Sequence, residues 1–251
     1  MTEALLLDLS GVLYSGSERI PGALEALRRA RAGRLHLRFV TNTSQKTRAA
    51  LLAQLRGLGF ELDDAELFTA LDAACHWLRG RRLRPYCLVH ADTVAAFAQF
   101  EQRDPNAVLV TDAGDGFSYE HLNRAFQLCL EGAPLLGIGR NRYYRAGDRF
   151  LLDAGPFIRA IEYAAGVEAV IVGKPGAAFF EQVVASTGVA PERTLMVGDD
   201  VHGDVAGALG AGIPACLVRT GKYRPGDEAQ VAGEFAVVES IVEAVALALS
   251  A

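Results

Sequence analysis

The 251-residue chain is poor in several things that would each point to a function class. No apolar run approaches the roughly 18–20 residues of a membrane span. Four cysteines (Cys75, Cys87, Cys129, Cys216) form no CxxC or CxxH pair. That argues against a zinc site or disulfide framework and for structural thiols in a reducing compartment. No basic block occurs and the net charge is −5, which leaves a nucleic-acid partner without electrostatic support. There is no GxxxxGK[ST] loop, which excludes a P-loop ATPase. Asp8-Leu9-Ser10-Gly11 offers one glycine where a dinucleotide-binding fold needs GxGxxG, and Gly137-Ile138-Gly139 lacks the third. The opening Met1-Thr2-Glu3 has no positively charged leader, so a cytoplasmic, membrane-free location is expected. Lysine is scarce as well. Only Lys46, Lys174 and Lys222 are lysines among 25 basic residues.

What is present is ordinary globular composition, 51% hydrophobic and 22% charged, in a chain long enough to bury a core without staples. Short apolar runs at 4–7, 35–40, 87–89, 107–110, 169–172, 194–197 and 215–218 read as buried strands. Between them, i, i+3, i+4 spacing predicts helices over 22–32, 47–57, 71–78, 119–130, 157–164, 177–186, 205–211 and 241–249. Gly59 and Gly188 follow helices as terminating glycines, and Pro21 and Pro191 stand near helix entries. Near-continuous apolar strands alternating with helices predict βαβ units, hence an α/β fold with a doubly wound, mostly parallel sheet.

Four of those strands run into polar residues: Leu7 into Asp8, Val40 into Thr41-Asn42, Val172 into Gly173-Lys174-Pro175, and Val197 into Gly198-Asp199-Asp200. In an open α/β sheet the ligand lies beyond the carboxyl ends of the strands, so the four groups are expected at one rim. Asp8, Asp199 and Asp204 would bring like charges together, which calls for bound protons or a cation. A hard divalent ion such as Mg²⁺, held by oxygen and suited to phosphate, resolves that conflict. Lys174 can neutralise a phosphate or a carboxylate as a point charge, and the Thr41 hydroxyl can donate to a phosphate oxygen. A carboxylate kept ionised in this way can attack phosphorus and form an aspartyl-phosphate for water to cleave.

Leu7-Asp8-Leu9-Ser10-Gly11-Val12-Leu13, Val40-Thr41-Asn42, Gly173-Lys174-Pro175 and Gly198-Asp199-Asp200-Val201-His202-Gly203-Asp204 resemble, in order and spacing, the four motifs of the haloacid dehalogenase (HAD) superfamily. About 130 residues between Asn42 and Lys174 leave room for the inserted α/β cap of its NagD-like branch. Stretches such as Asp112-Ala113-Gly114, Phe117-Ser118-Tyr119, Arg142-Tyr143-Tyr144, Gly155-Pro156-Phe157 and Arg219-Thr220-Gly221-Lys222-Tyr223 extend the resemblance along the chain. It implies a catalytic core at 1–78 and 169–251 and a cap at 79–168. It implies Asp8 as nucleophile and metal ligand, with the Ser10 carbonyl, Asp199 and Asp204 completing the protein's share of Mg²⁺. Ser10, Thr41, Asn42 and Lys174 would face the substrate, Thr41 and Asn42 holding the phosphoryl group and Lys174 bridging it to Asp8. A homodimer through the cap is implied by analogy.

One departure is informative. Most phosphatases of the superfamily carry a second Asp two residues after the nucleophile, where this chain has Ser10. A serine hydroxyl is a poor general acid near neutral pH, so a contribution of roughly 10²–10⁴ in rate is missing. Substrates whose leaving groups need little protonation, phosphoramidates (phospholysine, phosphohistidine) and pyrophosphate, fit that loss, and the resemblance implies them. The alternatives are a NagD-like monophosphatase of a small sugar, nucleotide or cofactor phosphate, and a weakly active HAD-like binding protein. A receiver domain also uses a strand-end Asp and a Lys-Pro, but there the acid pair precedes the lysine. Among the other residues, Lys222 has two readings, substrate rim or structural loop, and Arg142, Tyr143 and Tyr144 likewise, cap surface or packed strand edge. Lys46, His76 and His202 read as surface, Trp77 as core, Asp200 as a turn residue and Gly11 as a backbone requirement. Asn42 is suited to cap the following helix as well as to meet phosphate.

Overall fold

The computed structural model describes residues 1–146 and 149–250. The chain runs β1 (Ala4–Asp8), β2 (Tyr14–Ser15), β3 (Glu18–Arg19), α1 (Ala23–Ala32), β4 (His36–Thr41), α2 (Arg48–Gly57), β5 (Leu67–Thr69) and α3 (Ala70–Gly80). It continues through β6 (Pro85–Leu88), β7 (Ala107–Val110), α4 (Tyr119–Leu130), β8 (Leu135–Gly137), β9 (Tyr143–Ala146), β10 (Arg149–Leu152), α5 (Ala154–Ala165) and β11 (Val170–Ile171). The last part holds α6 (Ala177–Ala185), β12 (Thr194–Gly198), α7 (Gly207–Gly210), β13 (Ala215–Val218), β14 (Ala236–Val238) and α8 (Ile241–Ser250).

Two compact units result. The first comprises residues 1–41, 52–68 and 175–251, and the second residues 42–51 and 69–174. The first is built on a six-stranded sheet of order β14-β13-β12-β1-β4-β5. Its strands β14 to β4 are parallel, with Leu7 beside Val197 of β12 and Phe39 of β4. Every residue of β1 and β12 is buried, as expected of central strands covered on both faces. Arg31 anchors the edge, donating two bonds to Glu66 (2.9 and 2.8 Å) and one to the Glu61 carbonyl (2.9 Å). The short hairpin β2–β3 follows β1 directly.

The second unit has a four-stranded parallel sheet of order β11-β8-β7-β6 and the antiparallel hairpin β9–β10. One core cluster gathers Val108 and Val110 with Ala125, Leu128, Ile158 and Ile161; another gathers Leu109, Leu136 and Val172 with Ala70, Leu71, Ala74 and Leu78 of α3. Alternate residues of β7 thus feed two layers, the period-2 geometry of a strand.

The expected boundaries at 78/79 and 168/169 are therefore corrected. α3 buries its apolar face in the second unit, and Val170 and Ile171 pair with Leu136 and Gly137 rather than with the six-stranded sheet. Residues 42–51 also belong there. Ser44 accepts the Asp112 N–H (3.1 Å) and the Thr93 hydroxyl (3.1 Å), and Arg48 pairs with Asp72 at 2.6 Å. The helix expected over 205–211 is instead a π-helical turn at Val201–Ala206 followed by one turn of α-helix. Trp77 packs against the second of these core clusters but is only half-buried, beneath the Arg81 guanidinium 4.1 Å from its ring centroid. No helix among the described residues is long and apolar enough to cross a membrane.

Candidate active site

The carboxyl edge of the six-stranded sheet brings three acids together. Asp8 is the last residue of β1, Asp199 the first after the neighbouring β12, and Asp204 lies in the π-helical turn that follows. The site comes from strand order: β1 and β12 run parallel in register from Ala4 and Thr194, so both strands deliver their polar ends to one place. All three side chains are buried, and one carboxylate oxygen of each lies within 4.8 Å of the others. Thr41, buried, ends β4, whose Val40 pairs with Asp8. Ser10 is exposed and forms an isolated bridge with Tyr14.

The backbone closes tightly around the acids. Gly11 sits at φ +91°, and a methyl group there would lie 2.0 Å from Asp199 Oδ2. Only glycine takes that conformation and admits that approach. Thr220 donates to the Gly11 carbonyl and joins the loop after β13 to this wall.

Asp199 Oδ2 accepts the Lys222 N–H at 2.8 Å, whereas its Oδ1 is buried with no hydrogen-bond partner. Burial first, then the charges of Asp8 and Asp204, push the Asp199 pKa up to about 8, although Lys222 opposes them. Asp200 behaves in the opposite way. Burial raises it, but the Lys222 ammonium at 2.6 Å and the N–H groups of Gly203 and His202 (both 2.9 Å) bring it down to about 2. Burial works against the Lys222 charge, yet Asp200 and Asp199 hold its pKa above the ordinary lysine value. Lys222 thus braces the acid loop, as the loop reading expects. The same strand-end rule that singled out Asp199 could have found it, since β13 is the parallel neighbour of β12.

The acid cluster fits a hard divalent cation. It offers only oxygen, its like charges need neutralising, and a buried Asp199 oxygen lacks a partner. Burial and the nearby Asp8 charge push the Tyr14 hydroxyl up to about 12, so it stays neutral beside the cluster.

Lys174 is buried and is the last residue of the second unit. Asn42 lies in the same unit, and its carboxamide makes two bonds to the main chain of Lys174. Asn42 is not a helix cap. Thr47 takes that role for α2, its hydroxyl accepting the Ala50 N–H at 3.2 Å. In the same unit Gln45, which had drawn no attention, donates to Asp112 (2.6 Å) and to the Tyr144 hydroxyl (3.0 Å), while Tyr143 packs edge-on against Phe150. His76, His202 and Lys46 are exposed. The four thiols are unpaired, and burial pushes all of them up, Cys75 and Cys129 to about 11 and Cys87 and Cys216 to about 12, which leaves them inert.

Comparison with known proteins agrees with this geometry. Residues 5–102 match a family model described as haloacid dehalogenase-like hydrolase, and residues 171–244 match one described as HAD-hydrolase-like. The chain is 46% identical over 230 residues to a bovine phospholysine phosphohistidine inorganic pyrophosphate phosphatase, covering 89% of this chain and 85% of that protein. It is 44% identical over 229 residues to the bovine haloacid dehalogenase-like hydrolase domain-containing protein 2, covering 91% and 88%. Among solved structures, the 4-nitrophenylphosphatase of Thermotoga maritima superposes with a TM-score of 0.88 at 25% identity, covering 98% of this chain and 97% of that one.

Proposed function

The chain belongs to the haloacid dehalogenase-like hydrolases and is a phosphohydrolase, and from that premise we propose that it works through an aspartyl-phosphate on Asp8, with Mg²⁺, on phosphoramidates or pyrophosphate. The observation that supports this most strongly is the buried triad of carboxylates, mutually within 4.8 Å, with one Asp199 oxygen unpartnered. Asp8, Asp199, Asp204 and the Ser10 carbonyl would hold the ion. When bound, it supplies charge neutralisation for the acids and for the phosphoryl oxygens.

In the first step an Asp8 carboxylate oxygen forms a bond to phosphorus while the bond from phosphorus to the leaving nitrogen or oxygen breaks. The leaving group departs with the electron pair. In the second step water attacks the same phosphorus, orthophosphate leaves, and the Asp8 carboxylate is regenerated. Lys174 provides the positive charge that the transferring phosphoryl group requires, and the Thr41 hydroxyl donates to one of its oxygens. Ser10 supplies no strong acid, so the leaving group must depart with little help. A phosphorylated amine or imidazole that is already protonated, or pyrophosphate, meets that condition. The name of the bovine relative points to the same substrates. A monophosphatase is the second reading, favoured by the likeness to a 4-nitrophenylphosphatase.

The test is phosphate release from phospholysine, phosphohistidine, pyrophosphate, 4-nitrophenyl phosphate and a sugar phosphate, with Mg²⁺ or with EDTA. Hydrolysis of the first three should exceed that of the sugar phosphate, require Mg²⁺ and vanish in Asp8→Asn. A preference for the sugar phosphate would install the second reading. Activity that survives Asp8→Asn would overturn the mechanism.

A further inference from the structure

The resemblance gives Asn42 to the phosphoryl group, but the carboxamide is engaged elsewhere. Its Nδ2 donates to the Lys174 carbonyl at 2.7 Å, and its Oδ1 accepts the Lys174 N–H at 2.9 Å, across 132 residues of chain. One side chain thus meets both main-chain polar groups of one residue. Such groups are obligatory hydrogen bonders, and β11 ends at Ile171, three residues too early to serve them. Pro175 has no N–H with which to extend a ladder.

The surroundings are shaped to the amide. A methyl group at Gly139 would lie 2.5 Å from Asn42 Nδ2, and one at Gly173 would lie 2.6 Å from Asn42 Oδ1 and 2.2 Å from the Ile138 carbonyl. Bare backbone on both sides lets the carboxamide reach Lys174. No other side chain of this size offers one acceptor and one donor at that spacing. Aspartate would keep the bond from the Lys174 N–H but set a carboxylate against the Lys174 carbonyl.

We propose that Asn42 is a positioning residue that acts through Lys174: it clamps the Lys174 main chain so that the buried ammonium is aimed, and its own carboxamide is not a phosphate ligand. This rests on the proposed function for what the ammonium does, while the clamp itself is a separate, measurable property. A lysine side chain is long and flexible, so the position of its base decides where its charge falls. Displacement of a charge-stabilising group acts on kcat rather than on substrate binding alone.

The experiment is a double-mutant cycle of kcat and KM on Asn42→Ala, Lys174→Ala and the pair, with amide hydrogen exchange at Lys174 read in parallel. Asn42→Ala should lower kcat about 10-fold or more and add less than about 2-fold on the Lys174→Ala background, because an effect routed through Lys174 cannot be lost twice. The Lys174 N–H should exchange faster in Asn42→Ala than in the parent. If Asn42→Ala does not fold, Asn42→Asp, equal in size and retaining one of the two bonds, runs the same cycle with the same expected non-additivity. Gly139→Ala, which crowds Nδ2, should reproduce the loss. Multiplying losses in the cycle would make Asn42 a direct phosphate ligand and overturn the inference, as would unchanged Lys174 exchange. A parent protein without Asp8-dependent hydrolysis would overturn the proposed function and the catalytic role of the clamp, and fast exchange in Asn42→Ala would then still mark the clamp as real.

Discussion

Replacing Asp199 by asparagine should stabilise the metal-free protein while removing its response to Mg²⁺. Asp199 is buried, faces two carboxylates within 4.8 Å and leaves Oδ1 without a partner. An asparagine of the same shape still accepts the Lys222 N–H and presents donors to the remaining acids. The Asp199 pKa, pushed up to about 8 from 3.8, sets the scale. A carboxyl group raised in the folded state gives its full stability below the unfolded value, and that stability is lost as pH rises towards the folded value. At pH 7 the loss amounts to about three pH units at roughly 1.36 kcal/mol each, on the order of 4 kcal/mol.

Asp199→Asn escapes that loss. In EDTA its advantage over the parent should be small near pH 4, grow by about 1.4 kcal/mol per unit and level off near pH 8. For a chain of this length that is a gain of about 10 °C in melting temperature at pH 7. Thermal unfolding by circular dichroism between pH 4.5 and 8.5 measures it. Mg²⁺ at about 100 times its dissociation constant should then raise parent stability by about 2.7 kcal/mol and leave the variant nearly unmoved. A variant less stable than the parent in EDTA at pH 7–8, a gap that ignores pH, or equal gains from Mg²⁺ would refute the reasoning.

Other outcomes are equally specific. Lys222→Met strips Asp200 of its partner at 2.6 Å and should cost about 2 kcal/mol near pH 6 by urea unfolding, below the roughly 3–5 kcal/mol of a fully buried pair because both groups retain some solvent contact. Since the Asp200 pKa is depressed to about 2, that difference should shrink as pH falls from about 4 towards 2; a difference constant over that range would assign the loss to packing. Glu162→Ala removes a buried carboxylate that accepts two bonds from Arg140 (3.1 and 3.0 Å) and the Ala169 N–H (2.8 Å). It should destabilise by about 3 kcal/mol in calorimetry, and a loss under about 1 kcal/mol would show that the network contributes no more than a surface pair. Ser10→Asp should restore a general acid and raise hydrolysis of sugar phosphates, whose alkoxide leaving groups need protonation, by about 10²-fold. Unchanged monoester rates with Mg²⁺ binding intact would remove leaving-group protonation as the reason for the expected preference.

What was legible in the sequence follows from how local each feature is. The strand ends at Asp8 and Asp199 are local: apolar runs mark the strands, parallel pairing stacks their carboxyl ends, and three acids meet without any distant contact being guessed. Strands of three residues such as β8 and β14 carry too few positions for a period, and α3 could be assigned to a unit only by what its apolar face meets, Leu109, Leu136 and Val172. Side-chain partners are the least legible. Asn42 reads as a phosphate contact and a helix cap, yet Thr47 takes the cap and the Asn42 carboxamide meets a residue 132 positions away. Lys222 reads as substrate rim or structural loop until the parallel pairing of β12 and β13 sets it against Asp200. The acids could be found from their own strands, but the groups that set their charge and hold the Lys174 main chain belong to other strands and loops, so mutations at Lys222 and Asn42 probe what residue type and spacing alone do not encode.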